Sequence, residues 1–168
     1  MLIDLSYFIG GPRHIRNATL GKMLNPDAQE TNAGIKAYIQ MYQQPFLIEA
    51  LGEESANVVS AYLSIMEEED REPDAAYETV VEKLKEPFAN YVFFNILRDS
   101  NTQATITGLV QLKCANEYVA PIRRQVSAWN DMVEQMREFS SWSKTRACKL
   151  PAISVSANLL TKINSLNL

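Results

Sequence analysis

The sequence has few of the residues from which catalytic and metal sites are usually built. Its 168 residues include two cysteines, Cys114 and Cys148, and one histidine, His14. The cysteines are far apart and form no CxxC or Cys/His spacing, which favours two reduced, unrelated thiols over a disulfide framework. With a single histidine, the common zinc and non-haem iron sites and the histidine-dependent triads are hard to assemble. The sequence therefore predicts a protein with no catalytic residue, metal or cofactor.

Clustered positive charge and long apolar runs are also missing. The chain has 20 acidic against 16 basic residues, and its nearest basic cluster is Arg123-Arg124. Nucleic-acid binding relies on a clustered basic face, so this balance argues against it. The longest apolar stretch, Tyr91 to Phe94, is far too short to span a bilayer, and Met1 to Leu5 lacks the basic region of a signal peptide. We expect a soluble cytoplasmic protein with no membrane contact and no small-molecule substrate.

The remaining short motifs favour structural interpretations. His14 follows the Gly10-Gly11-Pro12 turn, which is typical of a surface-loop histidine. Gly10-Gly11 belongs to no phosphate-binding motif, because GxxxxGK[ST] and GxGxxG are both absent. The acidic run Glu67 to Asp70 lacks the alternate spacing and the glycine of a calcium loop, so it is interpreted as a solvated charge run.

The apolar fraction of 46% and the chain length fit one globular domain with tails. The pattern predicts an extended or irregular N-terminal arm over residues 1–26, a helical domain over 27–150 and a C-terminal tail over 151–168. The arm carries an apolar cluster of Leu5, Tyr7, Phe8 and Ile9 before any helix begins. Because burial of each such side chain is favourable, we expect the cluster to dock on the domain or on a neighbouring subunit.

The fold class predicted is mainly α, a helical bundle. A first helix starts near Asp27, is interrupted at Pro45 and stops at Gly52, and a second runs over 53–66. Asp74 is expected to cap a short helix, and Pro87 to open or kink the next segment. That segment, 88–97, is apolar nearly all round and is interpreted as the core helix.

The last third of the chain changes character twice. Residues 100–120 are rich in β-branched and polar residues, which favours a short β-like or irregular loop around 101–118. Pro121 then begins one long C-terminal helix with an apolar stripe of Ile122, Val126, Trp129, Val133 and Met136. If it reaches Ala147, this helix is about 39 Å long and exceeds a small domain, so part of it should project or pack on a neighbouring subunit.

Protein–protein contact is therefore the expected mode of action. Trp129 lies on the apolar stripe and is interpreted as core or subunit packing, whereas Trp142 falls off the stripe and could be an exposed anchor. The candidate contact residues lie in the arm, in the 101–118 loop and at the end of the last helix. They are Tyr7, Phe8, Ile106, Leu109, Val110, Phe139 and Trp142.

Two segments carry a resemblance to a known family. The opening Ile3–Pro12 resembles the start of small phage proteins encoded in prophages of gut Bacteroidales. So does Pro87–Phe94 continuing to Arg98-Asp99, followed by a threonine-rich loop and Ser127–Val133. The order of core helix, terminal arginine, polar loop and long amphipathic helix is similar to the helical head–tail connectors of long-tailed bacteriophages. Residues 141–168 show no such resemblance.

The resemblance implies a structural virion protein, a head–tail connector or adaptor subunit that forms a ring beneath the portal. Its implied partners are copies of itself and other virion proteins, namely portal and tail components, with DNA only in non-specific proximity. Its implied location is the host cytoplasm during synthesis and then the virion. One alternative is a non-enzymatic scaffolding or regulatory module that binds a single protein partner. An enzyme would need a site of carboxylates alone, such as Glu117 with Asp131.

Overall fold

Within the described residues of a computed structural model, four α-helices form a bundle. The structure describes residues 1–21, 25–68, 73–99, 102–105, 108–111, 122–145 and 150–166, with only the backbone of 68, 102–105 and 108–111. The helices are α1 (Pro26–Leu51), α2 (Glu53–Glu68), α3 (Ala75–Asp99) and α4 (Ile122–Thr145). The predicted fold class, a mainly helical bundle, is confirmed.

The ends of α1 follow from local sequence, but its interior does not. The Asn25 side chain accepts a hydrogen bond from the Asp27 backbone N–H at 2.9 Å, and Gly52 ends the helix at a φ of +83°. The predicted interruption at Pro45 is wrong, because α1 runs through this residue. Proline removes one helical hydrogen bond. The loss is tolerated here because Phe46 and Leu47, the next two residues, are fully buried.

The same correction applies to α3. Asp74 caps it as predicted, accepting a hydrogen bond from the Ala76 N–H at 2.9 Å. The predicted opening or kink at Pro87, however, does not divide the segment, and one helix spans Ala75–Asp99. Pro87 is itself buried, and so are Phe88 and Val92 beyond it, so tertiary packing holds the helix together. The predicted core segment 88–97 is indeed largely buried.

The core lies between the paired helices. The buried face of α4 contains Val133 and Met136 from the predicted stripe, together with Met132, while Ile122 at the other end of the stripe is exposed. Aromatic rings connect the layers, with Phe46 of α1 and Phe88 of α3 5.1 Å apart between ring centroids.

The N-terminal arm is neither extended nor detached. It forms two 3-10 turns, Leu5–Phe8 and Gly11–Arg13, and it buries Leu2, Ile3, Leu5 and Phe8 in the core. These turns are not extended, and the rest of residues 1–21 contains no helix or strand. The expectation that its apolar cluster docks on the domain is correct for Leu5 and Phe8, whereas Ile9 remains exposed.

The C-terminal tail also packs on the bundle, in a way its composition did not suggest. Backbone N–H groups of Ser154 and Ser156 donate to the carbonyls of Leu51 and Glu49 at 3.2 and 2.7 Å. These carbonyls belong to the last turn of α1, where helical partners are missing. The tail then crosses to α4 and buries Leu159 completely. It thus completes the end of α1 and covers part of α4.

Two short strands lie within the predicted 101–118 loop. Thr102–Thr105 and Gly108–Gln111 pair antiparallel, with Thr102 opposite Gln111 and Thr105 opposite Gly108. The rest of that loop lies outside the described residues. Helix α4 has 24 residues in the described part of the chain and is about 36 Å long, ending at Thr145.

Two glycines provide an opposed pair of stability predictions. Gly52 has a positive φ, so Gly52→Ala should lower the free energy of unfolding by about 1–3 kcal/mol through backbone strain. Gly34 lies inside α1 with nothing within 4 Å of an added Cβ, so Gly34→Ala should raise it by about 0.5–1 kcal/mol. Urea unfolding of both variants measures the two effects. Equal shifts of the same sign would contradict the assigned end of α1.

Candidate interaction surfaces

The two contact residues predicted in the arm have different environments. Phe8 is 0% exposed and packs in the core, so its assignment as a partner-contact residue is corrected. Its apolar side chain stabilises the domain's own core. Tyr7 is half-buried, and the guanidinium of Arg13 lies 5.7 Å from the centroid of its ring. Part of Tyr7 therefore remains accessible to a partner.

The two contact residues predicted on the last helix are also separated by burial. Phe139 is 2% exposed and packs in the core, which corrects its assignment to a projecting, partner-facing end. Trp142 is half-buried, with its ring 5.7 Å from that of Phe139 and the Lys83 ammonium of α3 5.1 Å from its centroid. The end of α4 is thus packed against the bundle at both positions, and only Trp142 keeps an accessible edge.

The remaining predicted contacts and the possible carboxylate site cannot be placed. Ile106 lies outside the described residues, and Leu109 and Val110 are described only as backbone, paired with Ala104 and Gln103. Their contact role stays a prediction. Glu117, Cys114 and Cys148 also lie outside the described residues.

His14 occupies an exposed position, as predicted from its place beside the glycine turn. Its Nδ1 lies 3.0 Å from the carbonyl oxygen of Ile9 within the same arm. This contact holds the imidazole against the turn.

Two arginines fasten the arm to α3 and α4. Arg13 donates to the Asn90 side chain at 3.0 Å and pairs with Glu86 at 2.8 Å, both on α3. Arg124 of α4 donates to the carbonyl oxygen of Pro12 at 2.9 Å. A charged group engaged in this way is held in a fixed position. Both arginines therefore stabilise the arm rather than offering a free basic surface.

The outer face of α1 was missed by the sequence interpretation. One uncharged row along this helix points away from the bundle, with residues three or four apart. We call it the α1 outer stripe, and it comprises Gly34, Ala37, Met41, Pro45 and Ile48, all exposed. Met41 is 64% exposed and Ile48 41%. A sequence signal was present, because Lys36 is the only charged residue between Thr31 and Ile48.

A second surface feature lies between α3 and α4. We call it the Trp129 cleft, a cavity of about 480 Å³. Three aromatic residues form its walls, two buried amides and one arginine add polar groups, and a tail residue borders it. The lining residues are Tyr91, Phe94, Asn95, Arg98, Gln125, Trp129 and Ile163.

The tail defines one side of this cleft through paired polar contacts with α4. The Trp129 indole N–H donates to the carbonyl of Thr161 at 2.9 Å. The Asn130 amide bonds both backbone groups of Ile163, donating to its carbonyl at 3.0 Å and accepting from its N–H at 2.9 Å. These contacts fix the orientation of both the indole and the tail.

Two tyrosine hydroxyls connect helices through carboxylates. Tyr62 of α2 donates to Glu78 of α3 at 2.9 Å, and Tyr38 of α1 donates to Asp99 of α3 at 3.1 Å. Desolvation, together with the adjacent carboxylate, raises the pKa of each phenol to about 12. Both phenols stay neutral donors at physiological pH and act as interhelical ties.

Known proteins provide no guide to the function of these surfaces. Comparison of the chain with protein-family models, curated proteins and solved structures finds no match. Among the described residues, no three His, Cys, Asp or Glu side chains cluster closely enough to hold a metal ion. No helix in the described ranges is long and apolar enough to cross a membrane.

Proposed function

We propose that this chain is a structural virion protein, a head–tail connector or adaptor subunit that acts by protein–protein assembly. Its proposed partners are copies of itself and the portal and tail proteins of a bacteriophage. It is made in the host cytoplasm and then incorporated in the virion. The support is the resemblance of its arm, core helix and last helix to that group, together with one surface of the bundle.

That surface is the α1 outer stripe, the observation that carries the proposal. A surface helix normally presents apolar residues to the core and polar residues to water, whereas a helix apolar on both sides is buried on both. Helix α1 buries Ile35, Ile39 and Leu47 inward and also exposes Met41 and Ile48 outward. Covering a side chain of this kind contributes about 1.5–3 kcal/mol. The stripe therefore favours a second protein surface against α1.

The size of the stripe favours a multi-surface assembly over an isolated dimer. From Gly34 to Ile48 it is about 21 Å long, and a helix is about 10 Å wide, so it presents roughly 200 Å² in projection. A stable interface buries about 800 Å² per partner. The stripe alone is too small for that. In a closed ring each subunit contributes two different surfaces, and a portal can supply a third.

Met41→Glu should block assembly while leaving the fold intact. The residue is 64% exposed in the free chain, so a carboxylate there stays solvated, but it would be desolvated against a partner. We expect an unchanged circular dichroism spectrum and unfolding midpoint. In a phage carrying the variant, we expect filled heads without tails and a loss of infectious particles of tenfold or more.

The matched control is Gln40→Glu, which adds the same charge to the neighbouring exposed position outside the stripe. It should leave particle yield unchanged. Equal yields from both variants would remove the stripe from the interface. Unchanged yield after deletion of the whole gene would refute the connector function itself.

The alternative function is a scaffolding or regulatory module that binds one protein partner through the same stripe. The location of the protein after phage assembly distinguishes the connector from the scaffolding or regulatory module. A connector subunit stays in purified, tailed particles in a fixed copy number, whereas a scaffolding or regulatory module remains in the lysate. Mass spectrometry of purified virions measures this directly. Portal, capsid and tail genes beside the coding sequence would favour the connector.

A further inference from the structure

We propose that the Trp129 cleft is a receptor pocket for a tryptophan or tyrosine side chain of a partner protein. This inference deepens the proposed function, because it names the chemistry by which a virion partner is recognised. The cleft and the α1 outer stripe share no residue, so each can be tested without the other.

The cleft is large enough for an aromatic side chain, and its walls are aromatic. Its volume of about 480 Å³ falls within the roughly 300–1,000 Å³ of ligand pockets. The rings of Phe94 and Trp129 lie 4.8 Å apart between centroids, and Tyr91 and Trp129 lie 6.1 Å apart. These three rings already pack on one another at the spacing that aromatic pairs prefer, and all three line the cleft, so they present a continuous aromatic wall to an inserted ring.

Two buried amides provide the polar groups with which an occupant of the cleft can form hydrogen bonds. Asn95 and Gln125 are 2% and 5% exposed, and both line the cleft. The Asn95 amide nitrogen donates to the Tyr91 carbonyl at 2.8 Å, but within the described residues nothing donates to its Oδ1. The Gln125 carboxamide has no hydrogen-bond partner in the same part of the chain. In the described ranges, neither amide has a polar atom that is both sealed from solvent and unpaired, so their free positions open into the cleft. A ligand with its own N–H or O–H can bond to them there.

The cleft lacks the positive charge that a nucleotide's phosphates would need. Arg98 is the one cation that lines the cleft among the described residues, and its guanidinium is already bonded to Asp99 at 2.9 Å and to the Tyr42 hydroxyl at 3.1 Å. A phosphate would find no free basic cluster here. Tryptophan and tyrosine combine a ring with one neutral donor and dominate protein–protein contact energies. They match both the walls and the amides.

The chain offers its own reporter for a binding experiment. It has two tryptophans, so Trp142→Phe leaves Trp129 as the only indole. The probe is N-acetyl-tyrosinamide, followed by selectively excited Trp129 fluorescence, with N-acetyl-phenylalaninamide as the matched probe that lacks the hydroxyl. We expect saturable binding of the tyrosine probe in the millimolar range, and binding of the phenylalanine probe about five- to tenfold weaker.

Gln125→Leu in the same background tests the amide. It keeps a similar volume, so the helices should stay packed, and it should abolish the preference for tyrosine over phenylalanine while both probes still bind. Asn95→Leu serves the same purpose if the first variant does not fold. Retention of the preference in a folded variant would overturn the role of that amide.

Two other outcomes would overturn the pocket. One is the absence of any saturable change with either probe. The other is a Trp129 already shielded from acrylamide in the free protein, which would mean that the chain itself fills the cleft. Neither outcome touches the connector proposal, which is decided by the Met41→Glu phage and the gene deletion.

Discussion

Phe8→Ala is expected to lower the free energy of unfolding by about 3–5 kcal/mol, the usual effect of removing a fully buried phenylalanine. The side chain is 0% exposed and lies in the same cluster as the core residues of the helices. Since small domains are stable by only about 5–15 kcal/mol, the variant should be close to unfolding at 37 °C. Urea denaturation followed by circular dichroism measures the loss.

Ile9→Ala is the control for this prediction, because the neighbouring residue is exposed in the same arm. It should change stability by less than about 1 kcal/mol. A Phe8→Ala protein that kept full stability but failed to assemble would restore the original interpretation of Phe8 as a partner contact. Loss of stability in the isolated chain would instead establish the arm as part of the core.

Local rules predicted the features that local geometry decides. The cap at Asp74 and the stop at Gly52 each depend on one residue's backbone or side-chain chemistry. The burial of segment 88–97 could be predicted because the segment is apolar on nearly all sides. Such signals need no knowledge of the rest of the chain, and the structure bears them out.

The two internal prolines show where local rules fail. Pro45 and Pro87 each remove a helical hydrogen bond, and sequence alone predicts an interruption at Pro45 and an opening or kink at Pro87. The structure keeps both helices continuous, since buried aromatic residues follow each proline, Phe46 in α1 and Phe88 in α3. Whether packing outweighs a lost bond depends on the partner helices, which a local pattern does not contain.

Apolar patterns also do not reveal which protein surface they face. Phe8 and Phe139 satisfied the criteria for contact residues, yet both fill the protomer's own core. Met41 and Ile48, seven residues apart, also met the criteria for contact residues. They were overlooked because α1 already had an apolar face assigned to the core. Only the placement of α1 against the bundle separates its two sides.

The Trp129 cleft could not be predicted from the sequence, because its lining residues come from separate segments. Asn95 and Gln125 are 30 positions apart and unremarkable in their own segments. They become a paired polar feature only when α3 and α4 pack together and bury both. Two amides that line one cleft are a property of the tertiary structure alone.

Ending the chain at residue 149 should lower the free energy of unfolding by about 3–6 kcal/mol, because Leu150 and Leu159 are both buried. The carbonyls of Glu49 and Leu51 would also lose their backbone donors at the end of α1. Trp129 would lose its partner at Thr161, so its fluorescence should shift to longer wavelength. Thermal unfolding and the emission maximum of the Trp142→Phe background measure both effects.

The control is a chain that ends at Asn164. It retains Ile163 and thus both hydrogen bonds to Asn130, and it removes Leu166, which is 93% exposed. We expect wild-type stability and an unchanged emission maximum. If the longer truncation behaved in the same way, the tail would contribute nothing to the bundle. A loss confined to the longer truncation assigns the stabilisation to residues 150–164, which close the end of α1 and one side of the Trp129 cleft.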